Sequence, residues 1–372
     1  MRKIHISVLQ PGMRVGRALY NSSGQLLLSA GTILTRKTIA RLEMAAIPAV
    51  YVDDGFLKDP AIVDVVSEEI RVQAVRQVRE LLAEAAVPGT GTAVVAISEI
   101  KETVSEIIDQ LLKNPDVVFN LIDIRAIDDY TFGHSVSVSV LSLLTGITLG
   151  YSREELLALG MGALLHDVGK TVIPDSILNK AGKLSPEEFA LVREHPERGF
   201  RMLLQIPGVS ASSALIALQH HERYQGQGYP RGLRGDEIHE FAVICGVADV
   251  FDALVADRVY RRAYPVHEAY ELIAGSGNFL FDYRIVQAFL QNVAAYPVGT
   301  LVRLSTGETG VVIEARRGMA LYPKVRILFD REGSACEPYE MDLWKEREVL
   351  ISGVVEGDLG TRRTAEKQPL DS

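Results

Sequence analysis

A histidine is joined directly to an aspartate in the stretch Leu165-His166-Asp167-Val168-Gly169-Lys170, at the end of a predicted helix. One imidazole and one carboxylate are thereby offered to the same small volume. A carboxylate can bridge two cations while an imidazole fixes one of them, which suits a hydrolytic metal centre. Gly169 allows the backbone to turn, and Lys170 provides an ammonium for an anionic substrate. The dipeptide alone is weak evidence, so its meaning depends on the residues around it.

Composition narrows the class of protein. The 372 residues are enough for roughly two or three domains. The net charge of −9 argues against coating a nucleic-acid polymer, because neutralising phosphates takes a basic face. The two cysteines, Cys245 and Cys336, have no metal-type spacing, which favours a reducing compartment. Neither a signal-peptide core nor a membrane-spanning run is found, so a cytoplasmic location without a membrane span is expected.

The hydrophobic pattern predicts a multi-domain fold around a central all-α bundle. A small α+β module is expected over residues 1–54, and two amphipathic helices over 55–116. The helical domain follows over 117–294, then a small β-rich, barrel-like appendage over 295–355 and a polar, disordered tail over 356–372. Residues 62–112 could form a homodimer contact, or they could pack against the next domain. The pattern leaves both open.

Single elements are predicted from periodicity and capping residues. In the central domain the predicted helices cover 118–128, 132–149, 153–166, 186–205, 210–223, 237–256 and 266–293. The amphipathic helices cover 64–86 and 98–112, and Thr35 is expected to cap a helix that ends at Met44. Strands are predicted at 13–20, 25–29, 49–52, 301–304, 310–315 and 324–329.

Five histidines lie near the ends of predicted helices in the central domain, each among apolar neighbours. An ionisable group in such surroundings must be paired, bound to a metal, or neutral. A single histidine would be read as an ordinary core residue, but five with nearby aspartates indicate a metal centre. Imidazole and carboxylate without thiolate suit ions such as Fe, Mn or Zn. The set is His134, His166, His195, His220 and His221, with Asp167, Asp249 and Asp252.

In their order these residues resemble the HD superfamily of metal-dependent phosphohydrolases, and most closely its HD-GYP branch. The resemblance implies that the central all-α bundle is of the HD type. The resemblance covers residues 117–292, close to half of the chain. Its matching segments are 129–135, 165–170, 177–180, 195–199, 220–222, Gly226, 228–230, 247–254, 257–258 and 260–261. The N-terminal module is also similar, more weakly, to a small domain found ahead of HD-GYP domains.

The resemblance implies an enzyme that hydrolyses cyclic di-GMP to linear pGpG, with further cleavage to GMP left open. The nucleophile would be a hydroxide held between two divalent ions, Fe or Mn, with Zn and Ni also open. Lys170 would hold the scissile phosphate, Asp252 would orient the nucleophile or protonate the leaving group, and Asp167 would bridge the ions. The implied metal ligands are His134, His166, Asp167, His195, His220, His221 and Asp249.

The implied substrate contacts come from two segments. In Gly228-Tyr229-Pro230 the glycine allows close approach of the backbone to a ligand, and the tyrosine offers a face for stacking. Arg258 and Arg261 are three residues apart on a helical pattern, so they share a face and could clamp phosphate oxygens.

The sequence departs from the family pattern at two positions. Gln225 stands where the branch usually has an aspartate. This removes a charge from the loop that carries Gly228-Tyr229-Pro230. Tyr130 stands where some members have a glutamate that supports a third metal, so two ions are expected and a third is not.

Two alternatives remain open at the level of sequence. One is a receptor or scaffold that binds a cyclic dinucleotide without turnover and signals through partner proteins. The other is a phosphohydrolase that acts on a different cyclic dinucleotide or on a nucleotide alarmone.

Overall fold

The N-terminal part is an α+β module, as predicted. The computed structural model describes residues 2–20, 26–45, 47, 49–53, 65–85, 92–114, 118–119, 130–178, 180, 182–256 and 263–355 of the chain. Strands β1 (Arg2–His5), β5 (Ala49–Asp53) and β2 (Arg14–Val15) form an antiparallel sheet in the order β1-β5-β2. Strands β3 (Leu19–Tyr20) and β4 (Leu26–Leu28) pair separately. The single strand predicted over 13–20 is therefore two short strands, and β1 was missed.

Helix α1 (Arg36–Met44) begins and ends as predicted. The hydroxyl oxygen of Thr35 accepts the backbone N–H of Thr38 at 3.1 Å and so satisfies one of the free donors of the first turn.

The two amphipathic helices are α2 (Glu68–Ala85) and α3 (Thr92–Lys113). Their apolar faces pack within the chain, because Leu81, Ile100 and Ile107 share one hydrophobic core with Val140 and Leu143 of the central domain. Packing against the next domain is therefore observed. Dimerisation through this region stays a prediction.

The regular secondary structure in the described part of the central domain is helical. Its helices are α4 (Tyr130–Thr148), α5 (Arg153–Leu164), α6 (Asp175–Leu178), α7 (Pro186–Val192), α8 (His195–Leu204), α9 (Ala211–Gln219), α10 (Glu240–Val255), α11 (Val266–Ala274) and α12 (Tyr283–Leu290). Short 3-10 turns cover Ile6–Val8 in the N-terminal module and Val168–Val172 and Gly235–Glu237 here. The helix predicted over 118–128 lies almost wholly outside the described residues.

Two predicted helices are each divided in the structure. The helix predicted over 186–205 is interrupted at Arg193 and Glu194, before His195 begins α8. The helix predicted over 266–293 stops at Ala274, and Asp282 starts a new one by accepting the N–H groups of Arg284 and Ile285. Periodicity missed both breaks because apolar spacing continues across them.

Helix α4 is the central element of the domain. Val136 and Leu143 belong to one hydrophobic core, and Val138 and Leu141 belong to a second. A helix buried between two cores holds its ends firmly. It therefore fixes the position of His134, which lies in its first turns.

The C-terminal part is a five-stranded antiparallel sheet. Strands β6 (Leu301–Leu304), β7 (Thr309–Glu314), β8 (Lys324–Phe329), β9 (Ala335–Asp342) and β10 (Ile351–Val354) pair in the order β10-β6-β7-β8-β9. The β-rich character of this part is as predicted, whereas its barrel-like closure stays a prediction. Strand β9 was missed because Pro338 and polar residues break its alternation, as edge strands tolerate.

The sheet is fastened to the helical domain. The Arg317 guanidinium donates to the Thr148 hydroxyl at 2.6 Å at the end of α4, and the Gly318 N–H donates to the Gln291 carbonyl at 3.1 Å. Among the helices that the structure describes, none combines the length and apolar character needed to cross a membrane.

Candidate metal centre

Asp167 is the centre of the site. It follows α5 directly and is 4% exposed. Its Oδ1 atom is 3.4 Å from His195 Nε2 and 3.8 Å from His220 Nε2. Its Oδ2 atom is 3.4 Å from His166 Nε2 and 2.5 Å from Lys170 Nζ. One carboxylate therefore faces three imidazoles and one ammonium.

Backbone carbonyls set the orientation of these three imidazoles. The Nδ1–H groups of His166 and His195 donate to the carbonyls of Ala163 and Val192, both at 2.7 Å. His220 Nδ1 lies 3.0 Å from the Ala217 carbonyl. With the proton held on Nδ1, each Nε2 presents its lone pair toward Asp167, which is the tautomer that a metal ligand needs.

The side chains form two overlapping groups of ligand atoms, each within 4.8 Å of one another. The first group is Asp167, His195, His220 and His221, and the second is His134, His166 and Asp167. Asp167 belongs to both. The sequence placed these residues together as ligands, and the structure brings six of the seven into the two groups.

Two buried atoms of these groups have no hydrogen-bond partner, namely His166 Nε2 and Asp167 Oδ1. An unsatisfied buried lone pair costs on the order of 1–3 kcal/mol, so native proteins rarely leave one without a function. Imidazole and carboxylate lone pairs aimed at one volume are the donors that divalent first-row metals prefer. The residues fit a metal centre on this observation.

Asp249, the seventh predicted ligand, contacts the site through His134. Its Oδ1 atom is 3.1 Å from His134 Nε2. Asp252, one turn further along α10, accepts from His134 Nδ1 at 2.7 Å and is 2% exposed. The two carboxylates share a face of the helix and hold one imidazole from both sides. Asp252 thus contacts His134, and its predicted role toward the nucleophile or the leaving group stays a prediction.

The protonation of the site differs between its parts. Burial lowers the pKa of His134, but the hydrogen bonds and charges of Asp249 and Asp252 outweigh burial and raise it to about 10. Burial lowers the pKa of His195 to about 4 and that of His221 to about 3. His220 also has a pKa well below its usual value, through burial and the charges of neighbouring histidines.

Asp167 and Asp249 stay ionised. Burial acts to raise the pKa of Asp167, but Lys170 and His166 outweigh it and hold the pKa well below its usual range. The hydrogen bond from His134 does the same for Asp249. The centre therefore offers charged oxygen ligands at neutral pH.

Close packing explains why Gly169 follows the His-Asp pair. A Cβ atom at this position would lie 2.0 Å from the His195 carbonyl oxygen and 2.6 Å from the Gly199 nitrogen. Only glycine lets the turn after Asp167 approach the first turn of α8. The sequence suggested that Gly169 allows a turn. The structure shows that a glycine is needed here for the close contact with α8.

The loop of residues 225–235, here called the signature loop, folds back on the adjacent histidines His220 and His221. A Cβ atom on Gly228 would lie 2.4 Å from the Glu222 Cα and 2.5 Å from the His221 carbonyl oxygen. The Tyr229 ring stacks on the His221 imidazole with centroids 4.6 Å apart and an interplanar angle of 22°. The Tyr229 ring, predicted to stack on the substrate, thus packs on His221, and its contact with the substrate stays a prediction. Pro230 follows it through a cis peptide bond.

Glu222 anchors this loop and was not predicted as a site residue. It is 3% exposed, and its two carboxylate oxygens accept the N–H groups of Arg231 at 2.7 Å and Leu233 at 3.0 Å. Its place directly after the histidine pair was the only sequence signal. Gln225, the departure from the family pattern, donates its amide to the Asn278 carbonyl at 3.1 Å, which an aspartate could not do.

Some predicted site residues cannot be placed. Arg258 and Arg261 lie outside the described residues, and so does the side chain of Tyr130. Lys170 lies at the edge of the centre, 32% exposed, with its ammonium on Asp167.

Comparison with known proteins agrees with this geometry. Residues 120–285 match the family model of the HD domain, and residues 301–358 match that of the KOW domain associated with HD domain. The chain is 39% identical over 240 residues to a cyclic di-GMP phosphodiesterase of Pseudomonas aeruginosa, covering 64% of this chain and 58% of that protein.

Two further relatives differ in their stated activity. A cyclic di-GMP phosphodiesterase response regulator of Xanthomonas campestris is 41% identical over 180 residues, 46% of each chain. A 3′3′-cGAMP-specific phosphodiesterase of Vibrio cholerae is 41% identical over 140 residues, 38% of this chain and 30% of that one. The chain thus spans between about a third and three fifths of the length of these relatives. Residues 120–285 of this chain are therefore similar to the HD domain family over close to half of the chain.

Proposed function

We propose that this chain is a metal-dependent phosphodiesterase that hydrolyses cyclic di-GMP to linear pGpG. The observation that carries the proposal is the position of Asp167 in both groups of ligand atoms. A carboxylate shared by two groups of imidazoles is what a two-ion centre needs. The named activities of the relatives from Pseudomonas aeruginosa and Xanthomonas campestris support the substrate.

The first group, with Asp167, would hold one ion and the second would hold the other. Asp249 would join the His134 side of the second group, because it already contacts His134 Nε2. Iron or manganese suits these ligands, and zinc or nickel would also bind them. Bound divalent ions lower the pKa of a water molecule and offset the charge that develops on a phosphodiester during hydrolysis.

The protein's own residues position and neutralise the reactants. Lys170 lies at the exposed edge of the centre, where its ammonium can turn from Asp167 to a phosphate oxygen of the substrate. Asp252 orients His134, as a carboxylate behind a ligating imidazole does in many metal sites. Glu222 holds the signature loop so that Tyr229 packs on His221.

The overall reaction consumes one water molecule and opens one of the two phosphodiester bonds of the ring. The water oxygen bonds to phosphorus, the bond from phosphorus to the 3′ oxygen breaks, and that oxygen takes a proton. The linear product keeps the second phosphodiester bond. Cleavage of this bond to give GMP would need the product to rebind in a second orientation.

A second substrate is favoured by one observation, the similarity to the 3′3′-cGAMP-specific phosphodiesterase. The two cyclic dinucleotides share the phosphate ring and differ in one base. Contacts to that base would have to distinguish them. We therefore propose cyclic di-GMP as the principal substrate and 3′3′-cGAMP as the compound against which it must be compared.

The test is turnover of both compounds by protein purified without oxygen, with its metal content quantified. The wild type is compared with Asp167→Ala and with Asp109→Ala, an exposed aspartate that pairs with Arg153. We expect metal-dependent release of pGpG by the wild type and the Asp109 variant, and a loss of at least about 1,000-fold in kcat for Asp167→Ala, since one change disables both ion sites.

Three other results would change the proposal. Faster turnover of 3′3′-cGAMP would reassign the substrate. If fully metal-loaded protein binds cyclic di-GMP but releases no product, the function would be that of a receptor and not of an enzyme. Activity of Asp167→Ala equal to that of Asp109→Ala would contradict the two-ion site.

A further inference from the structure

An exposed arginine stands over the tyrosine of the signature loop. The Arg193 guanidinium carbon lies 4.7 Å from the centroid of the Tyr229 ring, a cation–π distance. The same ring stacks on His221 at 4.6 Å. The Tyr229 ring thus contacts both the guanidinium and a proposed metal ligand.

The backbone that carries Arg193 is held rigidly. Its N–H group donates to the Phe189 carbonyl at 3.0 Å at the end of α7. The preceding residue, Val192, accepts the Nδ1–H of His195 at 2.7 Å. Arg193 therefore extends from the turn that orients a ligand of the centre, which fixes the start of its side chain relative to that centre.

The guanidinium is available for an anion. In the part of the chain that the structure describes, no carboxylate lies within ion-pair distance of Arg193. The neighbouring cations are engaged differently, because Lys170 contacts Asp167 and Arg223 donates to the carbonyls of His220 and Glu222. A planar guanidinium can bind a phosphate through two parallel hydrogen bonds.

We propose that Arg193 is a substrate-binding residue that holds the non-scissile phosphate of the cyclic dinucleotide. The ions and Lys170 would bind the scissile phosphate. The Tyr229 ring holds the Arg193 guanidinium away from the centre, so Arg193 meets the other phosphate of the cyclic dinucleotide. This inference rests on the proposed function and assigns to the same site a second anion contact. Tyr229 serves as the support on which the guanidinium lies.

The proposal predicts a contrast between two substrates. Bis(p-nitrophenyl) phosphate has one phosphate and no second anion for Arg193 to hold. Arg193→Ala should raise KM for cyclic di-GMP by about tenfold or more, because a hydrogen-bonded contact to a charged group is lost. Its kcat/KM for bis(p-nitrophenyl) phosphate should stay within about twofold of the wild type. Arg193→Lys should fall between, since an ammonium keeps the charge but not the paired hydrogen bonds.

The control is Arg201→Ala. Arg201 is an exposed arginine of α8 that pairs with Glu197 at 3.5 Å, so its removal changes the net charge equally. Metal content is measured for each protein. The dissociation constant of cyclic di-GMP is measured by titration calorimetry on metal-depleted protein, and it should rise for Arg193→Ala and not for Arg201→Ala.

Equal KM values for Arg193→Ala and Arg201→Ala would overturn the proposal, and so would an equal loss on both substrates. Failure of the proposed function gives a different pattern. If no protein in the series hydrolyses cyclic di-GMP, the calorimetric comparison decides the role of Arg193, and equal dissociation constants or no binding by any protein would reject it.

Discussion

The two sides of the metal centre hold histidine side chains in opposite protonation states. On the His134 side, two carboxylates of α10 hold one imidazole, and its pKa rises to about 10. On the three-histidine side, formed by His195, His220 and His221, burial among other imidazoles lowers the pKa values. The partners of each ring, and not burial alone, decide its charge at neutral pH.

This difference has a consequence for metal binding. A histidine must be neutral to bind a metal ion. The three-histidine side meets that condition at pH 7 without change, and its tautomers are set for His195 and His220 by backbone carbonyls. The His134 side is protonated without metal, so an ion must displace a proton there. We infer that the three-histidine side is the more preorganised half of the centre.

The largest effect is expected in the pH dependence of stability of the metal-free protein. The lowered pKa values of His195 and His221 contribute stability above their unfolded value near 6.5, and this is lost as pH falls toward about 4 and about 3. The raised pKa of His134 contributes stability below about 6.5, and this is lost as pH rises toward about 10. We call these the acid limb and the alkaline limb of the pH profile. Along each limb the free energy of unfolding should change by on the order of a few kcal/mol.

Chemical denaturation across pH measures both limbs. His134→Gln should flatten the alkaline limb and leave the acid limb, whereas His195→Gln should make the acid limb shallower. An alkaline limb that is the same in His134→Gln and the wild type would show that the two sides do not differ as described.

A smaller effect is expected when only the His134 side is disturbed. Asp252→Ala removes the acceptor that orients His134, 118 residues away in sequence. Loss of such a supporting carboxylate typically costs about 10- to 100-fold in metal affinity. Asp252→Asn keeps an oxygen acceptor and should recover part of the loss.

Metal titration of both variants, beside Asp109→Ala, tests this prediction. The weaker of two binding events should be affected and the tighter one unchanged. Equal weakening of both events would mean that Asp252 supports the fold of the whole centre and not one side of it.

The sequence was sufficient to select the residues that the structure gathers into the two groups of ligand atoms, because they lie in short local motifs on helices with strong periodicity. The pairing of Asp249 and Asp252 on one imidazole was also readable in part, since residues three apart share a helix face. The sequence did not show that their shared partner is His134, because His134 lies on a helix that is distant in sequence. Contacts of this kind depend on how α4 and α10 pack.

Other features could not be read from pattern. The break at Arg193 and Glu194 lies in a continuous apolar pattern, so the exposed position of Arg193 over Tyr229 emerges only from the fold. Strand β9 lies at the edge of its sheet, where packing imposes little alternation on the sequence. The close contact that requires Gly169 likewise involves α8, which is remote in sequence.

The most direct test of the account is the number and position of the ions. Anomalous diffraction from crystals of manganese-loaded protein would locate them. We predict two ions per chain, one on each side of the centre, with the Asp167 carboxylate contacting both. A single ion, or two ions of which only one contacts Asp167, would contradict the proposal that this carboxylate joins the two sides into one catalytic centre.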